Sequence, residues 1–445
     1  MENSNQIERK LKLPHVVALG LAYMSPFAVF DTFGIASDVS SGLVPTAYIV
    51  VFIAILFTAL SYGKLVKKYP SAGSVYAYTK NILNPYLGII VGWVSFLAYM
   101  ALPMINALLA RIYLSAGFPS VPSWAWIVGL IAVITILNIF GVKIAASINL
   151  LFVALQITVG VIFIFLTYRS IATGGESFMS IADLTPATNE FSGLFGAAAL
   201  LALAFIGFDA ITTLSEDTIK PKKNIPKAIL LVASIGGIFF FTVTYFMQSL
   251  FPDVSVFNDL EGASPEIAIV IGGNLFLSFF LAGALFSVFA SGLAAQLSAS
   301  RLLYAMGRDE VIPKKIFGYL HPKLNSPVFN IIFVGLLALP ALVLSLEVAT
   351  SLVNIGAFTA FSFVNICVIK QFILSNKKKS LKRIVTNFIF PAIGLIFVVY
   401  LWVNLNLFSL LLGAAWTLLG VAYLVLSTNF FRSQPPQIEF EELEM

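Results

Sequence analysis

Apolar runs of about twenty residues or more recur along the whole chain, and the charges gather in the short stretches between them. A soluble protein carries charge on about a quarter of its residues, and 445 residues would suggest about three soluble domains. Here 11% of residues are charged and 59% are hydrophobic, too few charges to coat that much surface. Runs of this length read as transmembrane helices. Lipid offers the backbone no partner, so only a helix or a closed barrel can cross it, and these runs are too long for barrel strands. The expected fold class is therefore an all-α integral membrane protein.

Twelve spans are expected, at about 15–37, 43–63, 86–114, 124–141, 145–168, 192–216, 227–251, 274–304, 328–345, 348–374, 385–404 and 407–430. Lys and Arg orient them. Of 26 basic residues, 24 fall on one side, and only Arg111 and Arg169 fall on the other. The opposite loops are acidic, with Glu176, Asp183, Glu190, Asp253, Asp259, Glu261 and Glu266. Both termini are then cytoplasmic, in the plasma (inner) membrane. The first residues are polar without a cleavable signal pattern, so span 1 is expected to stay. Arg111, near the outer end of span 3, reads as a snorkelling side chain.

Spans 1 to 5 begin inside and end outside, whereas spans 6 to 10 do the reverse. Two groups of five sharing one fold would form an inverted repeat, with a site at their interface near the midplane. The expected layout is a cytoplasmic segment 1–13, a first repeat 14–168, an extracellular loop 169–190, a second repeat 191–374, spans 11 and 12 over 385–430, and a cytoplasmic tail 431–445. Span 1 contains Tyr23-Met24-Ser25-Pro26-Phe27 and then Asp31; span 6 contains Phe205-Ile206-Gly207-Phe208-Asp209. Pro26 removes a helix N–H and clashes with the preceding turn, and Gly207 has the loosest backbone available. Each is a candidate unwound point in the first helix of its repeat. A plainer reading, with Pro26 as a kink and Gly207 as a close-packing residue, is weakened by their matched positions.

Carboxylates inside a membrane are costly. Asp31 and Asp209 lie in the two helices expected to break, where they could meet a cationic group, or one could carry a proton. Asp31 could also be wetted from outside, and Asp209 could serve as a structural hydrogen-bonding group. Tyr23, Tyr99, Phe27, Phe205 and Phe208 could stack over an ammonium group or simply pack. On span 8, Ser287 and Ser291 are one turn apart and could hold a coupling ion or bond helix to helix. Glu216 and Asp217 end span 6, as helix caps or lysine partners, with Glu216 as a gate in the alternative. One cysteine, Cys367, and two histidines, His15 and His321, far apart in sequence, exclude an internal disulfide and a four-ligand Cys/His zinc site. No cofactor is expected beyond a coupling proton or sodium ion, and nucleic acid is not an expected partner.

The stretch Phe205 to Asp209, followed by Thr212-Thr213-Leu214-Ser215-Glu216-Asp217 and Lys222-Lys223-Asn224-Ile225-Pro226-Lys227-Ala228-Ile229, resembles the amino acid–polyamine–organocation (APC) transporter family. Tyr69-Pro70-Ser71-Ala72-Gly73-Ser74 is similar to the family's loop after span 2. Ser300-Arg301-Leu302-Leu303-Tyr304-Ala305-Met306-Gly307-Arg308-Asp309 is similar to its loop after span 8. Phe30 to Gly34 and Leu102 to Ala107 resemble the bacterial putrescine-importer branch. The resemblance covers about residues 14–430. It implies a leucine-transporter-like fold, alternating access, uptake driven by a proton or sodium gradient, and substrate at Tyr23 to Phe27 and Phe205 to Asp209. Two departures stand out. Family amino acid carriers usually hold the substrate carboxylate on a glycine-rich break in span 1, where this chain has Met24-Ser25-Pro26-Phe27. The putrescine branch typically has an aspartate before the span 3 tyrosine, where this chain has Ala98.

These features point to a secondary carrier, a symporter for a small amine or an amino acid, with a polyamine such as putrescine the leading substrate. An amino acid permease or exchanger of the same fold is the alternative. A passive channel would need a continuous polar stripe, and an enzyme would need a convergent nucleophile and base; neither pattern is present in the sequence.

Overall fold

Pro26 decides how the chain begins. The first helix, α1 (Leu13–Met24), cannot continue through it, and the backbone turns at Ser25, with φ 49° and ψ 99°, into a 3-10 turn, Pro26–Phe30. Helix α2 (Phe33–Ser40) resumes the run and ends at Ser41, which is left-handed. The computed structural model describes residues 11–69, 74–139, 146–174, 177–187, 190–215, 218–308, 312–321, 324, 326–375, 380–428 and 430.

The chain continues through α3 (Val44–Lys68), α4 (Ser74–Ile82), α5 (Pro85–Gly117), α6 (Ser123–Ile139) and α7 (Ala146–Gly174). Next come α8 (Phe191–Leu201) and the 3-10 turns Ala202–Phe205 and Ala210–Ser215. Then follow α9 (Pro221–Leu250), α10 (Ala263–Arg308), α11 (Lys314–Phe317) and α12 (Val328–Leu337) with a 3-10 turn Leu339–Leu342. The last helices are α13 (Leu346–Ile373), α14 (Leu381–Ile384), α15 (Phe390–Val403) and α16 (Leu407–Ser427); a π turn, Val385–Ile389, joins α14 to α15. Among the described residues, ten helical segments are long and apolar enough to cross a membrane, and Ser123–Ile139 and Val328–Leu342 are shorter apolar helices. The protein is a multi-pass helical membrane protein.

Four boundaries differ from expectation by five residues or more; one is the end of span 5, which runs on to Gly174. Span 2 runs on to Lys68, so Lys64 and Lys67 lie on a helix. Span 7 starts at Pro221 and carries Pro226 inside the helix, where the missing N–H leaves the Lys222 carbonyl without its intrahelical donor. Span 8 is helical from Ala263 instead of 274, interrupted at Gly273, whose φ of 65° suits glycine.

The interior is built around α13, most of whose residues are buried. It lies along α5, which also packs on α10, while α3 lies along α9. Helices α15 and α16 keep large apolar residues outward, among them Ile396, Val403, Leu411 and Leu418. Such a surface suits lipid.

Candidate substrate site between two broken helices

The first break leaves helix α1 with an open carbonyl end. An uninterrupted helix would supply N–H groups to the carbonyls of Ala22, Tyr23 and Met24 from residues four further on. Pro26 has none, Phe27 gives its N–H to Gln156 Oε1 at 3.2 Å, and Ala28 gives its own to Ser25 O at 3.0 Å. Three carbonyls thus lose their helical donors, at the end of a helix where the dipole is negative. The N–H of Ser25 is bonded to Leu21 O. Ser25 Oγ donates to Gln156 Oε1 at 3.0 Å and shares a 2.8 Å hydrogen bond with Ser287 Oγ. Side chains of α7 and α10 therefore hold the break.

The second break rests on backbone geometry. The turn Ala202–Phe205 gives way to extended Ile206, then to Gly207 at φ 117°. A Cβ on Gly207 would lie 2.7 Å from the Tyr23 carbonyl carbon and 2.9 Å from Met24 N. The two broken helices thus touch main chain to main chain. Asn354 Nδ2, from α13, donates to Ala199 O at 2.7 Å and to Leu200 O at 3.3 Å, holding the end of α8.

The half-buried Asp209 follows this turn, with Gly207 N a long 3.4 Å from its Oδ1. Tyr62 and Tyr99 lie within electrostatic reach of its carboxylate, and the buried Tyr62 hydroxyl has no hydrogen bond of good geometry. Tyr99 also lies near Tyr23. Both are exposed, Tyr23 at 50% and Tyr99 at 38%. Three elements converge here and bring the two exposed rings close to the half-buried carboxylate; the gap among them is the candidate substrate space.

The remaining expected residues divide. Ser25 and Ile206 are half-buried beside that space. Phe27, Phe205, Phe208 and the Met24 side chain are buried. Met24 packs on Gly236 of α9, Phe205 on Phe240, and Phe208 on Tyr62 and Phe361. Ser287 meets the first break; Ser291, half-buried a turn further on, forms no hydrogen bond to it. Glu216 and Asp217 lie outside the described residues.

Asp31 lies apart from Asp209. It caps the turn Pro26–Phe30, accepts a hydrogen bond from Tyr113 Oη, and has Tyr48 within electrostatic reach. A layer of packed rings, Phe27, Phe30, Phe163, Phe280 and Tyr113, surrounds this end, with Phe27 and Phe30 centroids each 4.9 Å and 5.1 Å from Phe280. Above it, Arg111 is no free snorkelling chain. It forms an ion pair with Glu261, whose Oε1 accepts the Leu346 N–H at 3.0 Å. The pairing is possible because the chain before α10 folds back over α2: Leu260 O would lie 2.3 Å from a Cβ on Gly34, and Ser264 Oγ donates to Phe30 O at 2.6 Å. Packed rings and this ion pair thus cover the Asp31 end.

Beyond this closure, a surface cavity of about 660 Å³ is lined by Asp183 and Glu190 among others. The Ser180 backbone N–H, and then its hydroxyl, donate to Asp183 and hold its carboxyl below the usual range. The Asp183 carboxylate makes this cavity negative, which favours cations.

Sequence reasoning missed Gln156, Tyr113, Asn354 and Glu261. Gln156 carried a signal: a lone amide inside an apolar run, which must find partners when buried. Ala98, the departure from the putrescine pattern, packs its Cβ against Gly356 of α13.

The sequence profile of the amino acid permease family matches residues 15–431. The chain is 44% identical, over 98% of both chains, to the low-affinity putrescine importer PlaP of Escherichia coli (strain K12). It is 26% identical to the branched-chain amino acid permease BcaP of Bacillus subtilis (strain 168), over 93% of this chain and 92% of the relative. It is also 26% identical to the vacuolar cationic amino acid transporter 4 of Arabidopsis thaliana, over 83% of this chain and 64% of that one. The match along nearly the whole length settles the family: this chain is a transporter belonging to the amino acid permease family.

Proposed function

We propose that the protein is a secondary carrier that imports a small organic amine of the putrescine type by alternating access. One observation carries the choice of an amine: no N–H group at the first break is left for a carboxylate. Pro26 has none, and those of Ser25, Phe27 and Ala28 are all engaged. The groups turned to the space are the open carbonyl end of α1, the Asp209 carboxylate and two phenols. That set suits an ammonium group. In this reading Tyr23, Ser25, Tyr99, Ile206, Gly207 and Asp209 form the substrate site, with the Met24 main chain. Phe27, Phe205 and Phe208 form its packed walls.

The proposed topology has twelve spans, counting the shorter α6 and α12, arranged as two inverted repeats over 14–168 and 191–374, with spans 11 and 12 outside them. Both termini are cytoplasmic in this reading, which the one-sided basic residues support, and the membrane is the plasma membrane. With that sidedness the structure is inward-facing: the Asp31 side is shut by rings and by the Arg111–Glu261 pair, while Tyr23 and Tyr99 stay accessible. Accumulation against a gradient draws on protons or sodium ions, with Ser287 the hydroxyl of α10 nearest the break.

The relative named as a putrescine importer supports this reading; those named as amino acid carriers support the alternative, an amino acid permease. Uptake of labelled putrescine, lysine and leucine into proteoliposomes, under imposed proton or sodium gradients, separates the two. Gradient-driven, saturable putrescine accumulation is expected, with leucine a poor competitor. Leucine uptake without putrescine uptake would overturn the proposal.

A further inference from the structure

We infer that Gln156 sets the substrate class, by occupying the one N–H at the first break that could otherwise hold a carboxylate. This rests on the proposed amine site. Gln156 is 4% exposed, on α7, and its Oε1 accepts both from Phe27 N–H at 3.2 Å and from Ser25 Oγ at 3.0 Å. Ser287 of α10 completes the tie through Ser25. Of the residues just past the end of α1, Ser25 bonds back to Leu21, Pro26 has no N–H, and Ala28 bonds to Ser25. Phe27 alone has an N–H whose partner is a removable side chain.

The chemistry is one of acceptors. A substrate carboxylate would need that N–H and the Ser25 hydroxyl, and both are already satisfied by a neutral oxygen. Binding it there means displacing the amide oxygen, which would then be buried without a donor, at a cost. An ammonium group needs neither donor and meets the carbonyl end of α1, which has lost its helical donors, and the Asp209 carboxylate. Gln156 therefore leaves amine recognition intact and withholds carboxylate recognition. It acts as a positioning and specificity residue.

Putrescine and ornithine form a suitable probe pair, because ornithine is putrescine bearing one α-carboxylate. Displacement of labelled putrescine from purified protein gives the ratio of the two affinities. The wild type is expected to favour putrescine at least about tenfold, the scale of a hydrogen bond to a charged group. Q156L frees the Phe27 N–H and the Ser25 hydroxyl, so the ratio is expected to shrink about tenfold. Q156E keeps the acceptor oxygens in place, so its ratio is expected to stay at or above that of the wild type. Thermal unfolding in detergent checks each variant, and Q156N, whose shorter side chain withdraws the oxygen, replaces Q156L if the latter does not fold. A ratio unchanged in the folded leucine or asparagine variant, or reduced equally by Q156E, overturns the inference. Failure of the wild type to bind putrescine at all overturns the proposed function instead.

Discussion

The two broken helices reach the same result by different means. The first ends at a proline, and side chains from α7 and α10 take up its loose groups. At the second, a side chain acts only upstream, where Asn354 holds the end of α8; the turn itself is a glycine at φ 117° that abuts the Tyr23–Met24 main chain, and its polar group is its own Asp209. A break held by side chains can be retuned by substitution without moving the backbone. A break held by glycine geometry cannot. The first break is thus the place where selectivity is adjusted, and the second is the fixed part that carries the charge.

This contrast orders the expected effects of substitution. Gly207→Ala is expected to do most damage, since a Cβ would lie 2.7 Å from main-chain carbon and the backbone would sit where L residues are strained. Putrescine uptake by the folded variant should fall roughly a hundredfold; retention of more than half the wild-type rate would mean that the breaks do not touch as described. Asp209→Asn removes the charge but leaves the turn, so an increase of roughly thirtyfold in the putrescine KM is expected, the scale of losing a charge partner in a water-poor site. Asp31→Asn, behind the ring layer, should raise KM much less, and equal effects of the two would erase the distinction between them.

Weakening the outer closure should act on conformation more than on affinity. Cys367 is buried and is the only cysteine, so a cysteine placed at the buried Thr32 can report opening to an impermeant thiol reagent. Arg111→Ala should raise its labelling from outside by about fivefold, the scale of a partly exposed ion pair, and the charge-swapped pair R111E/E261R should lower it again. Labelling unaffected by either change would remove the pair from the closure. Ser291→Ala marks the small end of the series. Its uptake should stay within about twofold of wild type, as for substitutions away from a packed or bonded site, whereas Ser287→Ala should be measurably worse.

How much could be read in advance follows from the range of the interactions. Pro26 and Gly207 announce themselves because proline and glycine act on their own backbone, whatever surrounds them. The long apolar runs likewise reveal most spans. Gln156 was opaque as to role, since its partners lie 129 and 131 residues away along the chain and only packing brings α7 to the break. Arg111 read as a snorkelling residue because hydropathy says nothing of a loop folding back, and Glu261 looked like one more acidic loop residue. The early start of α10 was hidden by Glu266 and by Gly272-Gly273-Asn274, which resemble a loop in sequence. Phe27, Phe205 and Phe208 were expected at the substrate; the structure buries their rings in aromatic packing, a choice between two fates that composition alone leaves open.

The central claim is that the two breaks enclose one cation site. The most direct test is a map of the protein with putrescine bound, by electron cryomicroscopy in a lipid nanodisc. Density for the diamine is predicted in the space among Tyr23, Tyr99 and Asp209, with an amino group against the Asp209 carboxylate or the α1 carbonyl end. Density lodged elsewhere, with that space empty and residues 23–28 and 205–209 drawn into unbroken helices, would contradict it.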